Sequence, residues 1–281
     1  MKKVISASRR TDLVAFFPDW VEKVLKVREA RVWGPSSHVY KVSLEPDKVH
    51  TIVLWSKDFS NILQNKYNLF SLFREYDQLY CHFTITGLGA TVVEPHVIPP
   101  HKALEQLEPL AEWVQSPQRI SLRFDPIVFW KEGSQLKTNL YYFEKIAPYL
   151  QKLGVKSVKF SFVQWYQKAR RRAAKRGFCF FDPPPEKKIE AAQYLMEVAR
   201  QFSLELTACC QPLIVESLPI KPAACIDGAF LEKIHPQKLP VSKKKDRTQR
   251  QHCHCTDSVD IGSYIQHCPH ACVYCYANPL E

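Results

Sequence analysis

Residues 119–163 read RISLRFDPIVFWKEGSQLKTNLYYFEKIAPYLQKLGVKSVKFSFV. Two runs rich in β-branched and aromatic residues, 119–127 and 155–163, enclose a stretch at 139–153 with helical spacing of its apolar residues. A strand, a helix and a strand in that order make a βαβ unit, which needs parallel strands and a right-handed crossover. The same alternation runs outward in both directions. Further strands are expected at 4–8, 50–56, 79–87 and 204–210. Helical patterns fall at 18–29, 60–76, 101–115 and 186–202, the first opened by Pro18 and the second by Ser60, a good N-cap. Strand and helix alternate six times, so the expected fold is α/β, a six-unit βα partial barrel over residues 1–212. Residues 213–281 form a C-terminal cysteine-rich segment, with a short helix near 226–234. Too few apolar residues lie in 235–281 to build a separate core, so this segment is expected to pack on the barrel mouth.

Several of these strands are apolar for most of their length and polar at their C-terminal ends: Ser8-Arg9-Arg10, Lys57-Asp58, Thr84 and Thr86, Arg123 and Asp125, and Gln164. In TIM-like βα barrels the loops at that edge build the active site. Arg10, Asp12, Arg123 and Asp125 are therefore the candidate catalytic residues. Arginine matches carboxylate and phosphate geometry, so Arg10 and Arg123 suit an anionic group; an Arg–Asp structural pair is the plainer alternative.

The chain has 281 residues, 46% of them hydrophobic and 24% charged, which is ordinary for a globular protein. No stretch approaches the length of a membrane span, and MKKVISASRRTD lacks the apolar region of a signal peptide; a cytoplasmic location is expected. Ten cysteines in such a chain point to metal or redox chemistry instead of a disulfide framework. A formal charge of +11 favours an anionic partner, nucleic acid included, although scattered solubilising lysines give the same number. The run from Lys168 to Arg176 suits phosphates, with Trp165, Tyr166 and Phe178 nearby to stack on bases; a solvated helix face has the same composition.

The densest chemistry is at the end, in HCPHACVYCYANP over 267–279. Cys268, Cys272 and Cys275 are spaced C-x-x-x-C-x-x-C, which directs three thiolates at three corners of one 4Fe–4S cubane and leaves one iron open to a small molecule. A zinc site with a fourth ligand from Cys253, Cys255, His254, His267 or His270 is the alternative. Cys209, Cys225, Cys253 and Cys255 make a second candidate set, for a complete 4Fe–4S cluster or a tetrahedral zinc. Otherwise Cys209 and Cys225 are buried small apolar residues.

The cluster stretch, with Tyr274 just before its last cysteine, resembles the cofactor loop of radical S-adenosylmethionine (radical SAM) enzymes. The whole chain resembles a bacterial family of predicted radical SAM proteins that carry this motif at the C-terminus. The matching pieces are ISASRRTD at 5–12, LRFDPI at 122–127, CID at 225–227, KKDRTQR at 244–250, C-x-C at 253–255, and DIGSY followed by CPHACVYCYAN. CPHACVYCYA is also similar to the cluster loop of the spore photoproduct lyase group. The resemblance implies a permuted radical SAM core, with S-adenosylmethionine on the open iron and Tyr274 beside it.

The expected function is thus a radical SAM enzyme. Reduction of its cluster by an external electron donor would yield a 5′-deoxyadenosyl radical that abstracts hydrogen from a substrate. The competing expectation is a zinc- or cluster-stabilised nucleic-acid-binding protein without catalysis. A third is an electron carrier or sensor. Expected partners are S-adenosylmethionine, an anionic substrate and the electron donor, with no membrane.

Overall fold

The computed structural model describes residues 1–34, 38–277 and 279. Asn278, within the quoted cluster motif, lies outside them. In chain order the strands are β1 (Lys3–Ala7), β2 (Glu29–Trp33), β3 (Val39–Ser43), β4 (Val49–Ser56), β5 (Leu79–Thr84), β6 (Ile120–Ile127) and β7 (Phe129–Glu132). They continue as β8 (Gln135–Thr138), β9 (Ser157–Phe162), β10 (Cys179–Phe181), β11 (Glu205–Ala208), β12 (Lys221–Pro222) and β13 (Val259–Asp260). Eight of these form one sheet in the order β12-β11-β9-β6-β5-β4-β1-β13, parallel throughout. The six strands expected from sequence are the inner six of this sheet.

The six-unit TIM-like partial barrel, and the permuted barrel core built on it, are not the architecture. The sheet has eight strands, and its edges β12 and β13 do not pair with each other, so it does not close. Two small antiparallel sheets, β10-β7-β8 and β2-β3, stand beside it. The physical reason is length. β12 and β13 are two residues each, too short to show a two-residue hydrophobic period, and it is they that turn six strands into an open eight.

Strand alternation assigns the two faces. On β4, Ile52 and Leu54 enter the large helix-side core while Val53 and Trp55 enter a second cluster; on β1, Ile5 and Ala7 oppose Val4 in the same way. On β6 and β9, Leu122, Phe124, Val158 and Phe160 join the main core, and Ser121, Arg123, Ser157 and Lys159 take the other face. Both faces are therefore covered, as an all-parallel sheet requires. The second cluster is built from the C-terminal segment: Ala223, Cys225, Ile226, Leu231, Val241, Cys253 and Cys255 pack on Val53, Trp55 and Tyr80.

Helix ends follow local chemistry. Helix Phe143–Leu153 stops at Gly154, whose φ of 71° supplies the left-handed cap. The single helix expected at 60–76 is two short ones, Ser60–Leu63 and Leu69–Phe73, because Asn65, Tyr67 and Asn68 all have positive φ between them. Likewise 101–115 divides into Pro100–Glu105 and Leu107–Trp113. Among the described residues no helix is long and apolar enough to cross a membrane.

His50 and His235 are buried at the base of the sheet with ring centres 4.5 Å apart. The His50 ring nitrogens meet Thr51 Oγ1 and the Leu239 carbonyl, both at 2.8 Å. Burial lowers both imidazole pKa values. The charges facing them are Lys2, Asp77, Glu232 and Arg119, with Asp77 4.0 Å from His235. A base with a depressed folded pKa gives stability that is present above its unfolded value, about 6.5, and lost as pH falls below it. The melting temperature is expected to fall between about pH 7.5 and about pH 5.5. In a His50→Gln, His235→Gln variant that slope should be shallower; an unchanged slope in thermal melts would assign the acid lability elsewhere.

Candidate active site at the strand ends

The C-terminal ends of the sheet strands converge under the tail of the chain. The join is made by one carboxylate. Asp260, at the end of β13, lies beside Ser6 of β1. Its Oδ2 accepts from Ser6 Oγ at 2.8 Å and from the Arg9 backbone N–H at 2.9 Å. Its Oδ1 accepts from Ser8 Oγ at 2.7 Å and from the Gly262 N–H at 2.9 Å. Gly262 is obligatory, because a Cβ there would sit 2.1 Å from Ser8 Oγ.

Beyond this clamp the cysteine loop crosses the strand ends. Asp12 caps helix Leu13–Phe16 by accepting from the Ala15 N–H at 3.0 Å. The same carboxylate accepts from Ser56 Oγ and the Lys57 N–H at the end of β4, and pairs with His270 Nε2 at 2.8 Å. His270 Nδ1 meets the His96 carbonyl, so both nitrogens of this buried ring are engaged. Arg172 donates to the Cys275 carbonyl at 2.9 Å and Arg176 to the Ala271 carbonyl at 2.6 Å. Val273, between two of the cysteines, is fully buried against Leu88, Val93, Val128 and Trp165. Tyr274 donates its hydroxyl to buried Glu94, which also holds Thr86 Oγ1 at 2.8 Å and Lys57 Nζ at 2.9 Å. Burial pushes the Cys268 thiol up to about 11 and raises Cys272 and Cys275 as well. Asp12 raises Cys268 further and Glu94 raises Cys272, ahead of the other cysteines of the trio.

The second set gathers under β1, β4 and β11. Cys209, Cys225, Cys253 and Cys255 are all buried, with Cys209 and Cys225 sulfurs 3.9 Å apart. Hydrogen bonds with Cys225 and Cys253, and then the Arg9 guanidinium, pull the Cys255 thiol well below its usual value. Hydrogen bonds with Cys209 and Cys255 push Cys225 up. Among the described residues no three His, Cys, Asp or Glu side chains already surround a point as metal ligands do.

The four candidate catalytic residues have different surroundings. Arg10 donates to the Gly262 carbonyl and lies over the Tyr264 ring, 4.5 Å from its centre, so it braces the tail. Asp12 is filled by the contacts above. Arg123 and Asp125 pair with each other, and Asp125 also accepts from Ser161. Arg123 and Arg9 remain beside a cavity of about 610 Å³, whose wall includes Trp55, all four cysteines of the second set, and Tyr276 next to Cys275. In the basic run, Arg172 and Arg176 hold the tail. Phe178 and Phe180 both pack on Trp165, which is buried, while Tyr166 lines the cavity. Glu94 and Asp260 were not selected from sequence. Single acids in loops carry no spacing signal, although Asp260 opens the quoted DIGSY piece.

Asp260→Asn removes a charge that four donors share and should destabilise the protein by about 2–4 kcal/mol in denaturant unfolding. Gly262→Ala should mimic it through the clash with Ser8. If both variants unfolded like the parent chain, the tail would not be held by this clamp.

A comparison with curated proteins finds no match. The model of the family described as "Domain of unknown function (DUF1848)" matches residues 4–277, nearly the full length, and the chain belongs to that family.

Proposed function

We propose that this protein is a radical SAM enzyme. Its Cys268, Cys272 and Cys275 would hold a 4Fe–4S cluster with one iron free for S-adenosylmethionine, and its substrate would enter the adjoining cavity. The observation that carries this reading is the donor set on the tail. Three cysteines lie on one short loop, and the imidazole within that loop has no free nitrogen: His270 is committed to Asp12 and to the His96 carbonyl. His267 is exposed. A three-thiolate set with no ready fourth protein ligand suits a cluster with an open iron and does not complete a zinc tetrahedron.

What the cofactor pair supplies is one-electron reductive cleavage of S-adenosylmethionine to a 5′-deoxyadenosyl radical, which takes a hydrogen atom from substrate. The chain's own residues supply the rest. Asp12, Arg172 and Arg176 fix the height of the loop. Tyr274, Glu94 and Lys57 form a buried hydrogen-bonded group beneath it. Val273 and its apolar neighbours keep water from the loop's underside. An external electron donor is required.

Cys209, Cys225, Cys253 and Cys255 are proposed to hold a second metal, either another 4Fe–4S cluster or zinc. Four buried thiols are soft donors, and with four of them no open position would remain. Its role would be structural or electron-relaying, tying the C-terminal segment to β11.

Protein purified without oxygen is expected to be brown. Alanine at Cys268, Cys272 or Cys275 should remove about four irons and abolish reductive cleavage of S-adenosylmethionine, with the sheet still folded by circular dichroism. Full iron and full cleavage in each variant would sink the assignment. For the second site, about eight irons in the parent chain would mean two clusters, and about four with one zinc a mixed pair. Four irons, no zinc and an unaltered stability of Cys225→Ala would return the quartet to ordinary buried cysteines.

A further inference from the structure

We propose that the cavity of about 610 Å³ at the strand ends binds a phosphoryl group carried by a small-molecule substrate. The cavity is lined by Arg9, Arg123, Lys168 and Arg250 and by no carboxylate. Two of these cations form the floor. The guanidinium carbons of Arg9 and Arg123 lie 5.2 and 5.1 Å from the centre of the Trp55 ring, which fixes both. Each has a buried nitrogen with no hydrogen-bond partner: Nη2 of Arg9 and Nε of Arg123. Buried donors left unsatisfied cost free energy, and a cavity beside them marks where an acceptor belongs.

The charge count selects the class of acceptor. Arg123 is paired with Asp125. The Arg9 backbone N–H holds Asp260, and its Nη1 donates to Ser258 Oγ at 3.2 Å. The floor is therefore close to neutral while keeping spare donors. Lys168 and Arg250 at the rim are exposed and pair with no carboxylate among the described residues, Arg250 being held by Tyr166 and facing Cys209 and Cys210. Two rim cations without a carboxylate partner, above two spare guanidinium donors, match a dianion with several acceptor oxygens better than a single carboxylate. Tyr166 and Tyr276 on the same wall, with ring centres 6.1 Å apart, provide an aromatic surface for the group that carries the phosphate.

This inference takes the strand-end mouth as the active site, as the proposed function does, but not its cofactor. Binding can be read whether or not a cluster is present, and iron content is measured separately, so either idea can fail alone. Phenyl phosphate is titrated into the full-length protein by calorimetry, with inorganic phosphate as the comparison. Saturable binding is expected, tighter for the ester than for inorganic phosphate and weakened by added salt. Lys168→Gln, Arg250→Gln should lower affinity about tenfold or more, since it removes two rim charges. Both side chains are exposed, so this variant keeps its fold even if Arg123→Gln does not. Absence of saturable binding, or equal affinity in the rim variant, overturns the proposal. So does displacement of phenyl phosphate by S-adenosylmethionine with the same loss in the rim variant, because the cavity would then belong to the cofactor's own carboxylate.

Discussion

The Asp260 carboxylate is the constraint on which the site depends. β13 has only two residues, too few ladder bonds to hold a strand at the edge of a parallel sheet. The four donors converging on Asp260 supply what the ladder lacks, and they come from both sides of the join: Ser6 from the first strand, Ser8 and Arg9 from the turn after it, and Gly262 from the tail. The hairpin of β2 and β3 adds a brace from outside, since the Tyr264 N–H donates to the Trp33 carbonyl at 2.9 Å and the Trp33 N–H to Ser263 Oγ at 3.1 Å. With the chain pinned there, the cysteines that follow have no course but across the strand ends. A motif far along the sequence is thereby delivered next to residues of its first dozen, as the Asp12–His270 contact shows.

How much of this could be read from sequence depended on the range of the signal. The six inner strands were legible because β-branched and aromatic runs of four or more residues carry their own period. The edge strands were not, because a two-residue strand is defined by its neighbours alone. Tyr264 and Ile265 have the stronger strand propensity, yet Val259 and Asp260 pair with β1, and Tyr264 and Ile265 are exposed. Cross-sheet chemistry won over propensity there. The polar strand ends were correctly placed together, but their employment was not visible. Asp12 and Arg10 hold structure, while Arg9 lines the cavity. Which of two adjacent arginines turns inward is set by the pleat and by the Asp260 clamp, and neither leaves a mark in composition.

The second face of the sheet explains why charge is tolerated so near the core. Along β5, β6 and β9 it presents His82, Arg123 and Lys159, each answered locally. Lys159 Nζ donates to Ser157 and Ser121 at 2.9 and 3.2 Å, and His82 Nε2 contacts the Cys225 carbonyl at 2.7 Å while its ring stacks on Trp55 at 4.2 Å. Burial, with Lys159 and Arg123 adding to it, drives the His82 pKa down, so this imidazole stays neutral and acts as a wedge between the C-terminal segment and the sheet. A wholly apolar face would pack with less cost. Of the three, only Arg123 borders the cavity.

The two thiol groups gain their relation from the same geometry. The quartet forms part of the cavity wall, and the trio reaches it through Tyr276, the residue after Cys275. Arg9 stands between these uses: its backbone N–H anchors Asp260 and with it the tail, while its guanidinium faces Cys255 and the open cavity. A shift of the tail relative to β1 would therefore move the trio, the quartet's nearest cation and a floor donor of the cavity together. This coupling follows from routing three contacts through one strand end. It requires no moving part beyond the clamp itself.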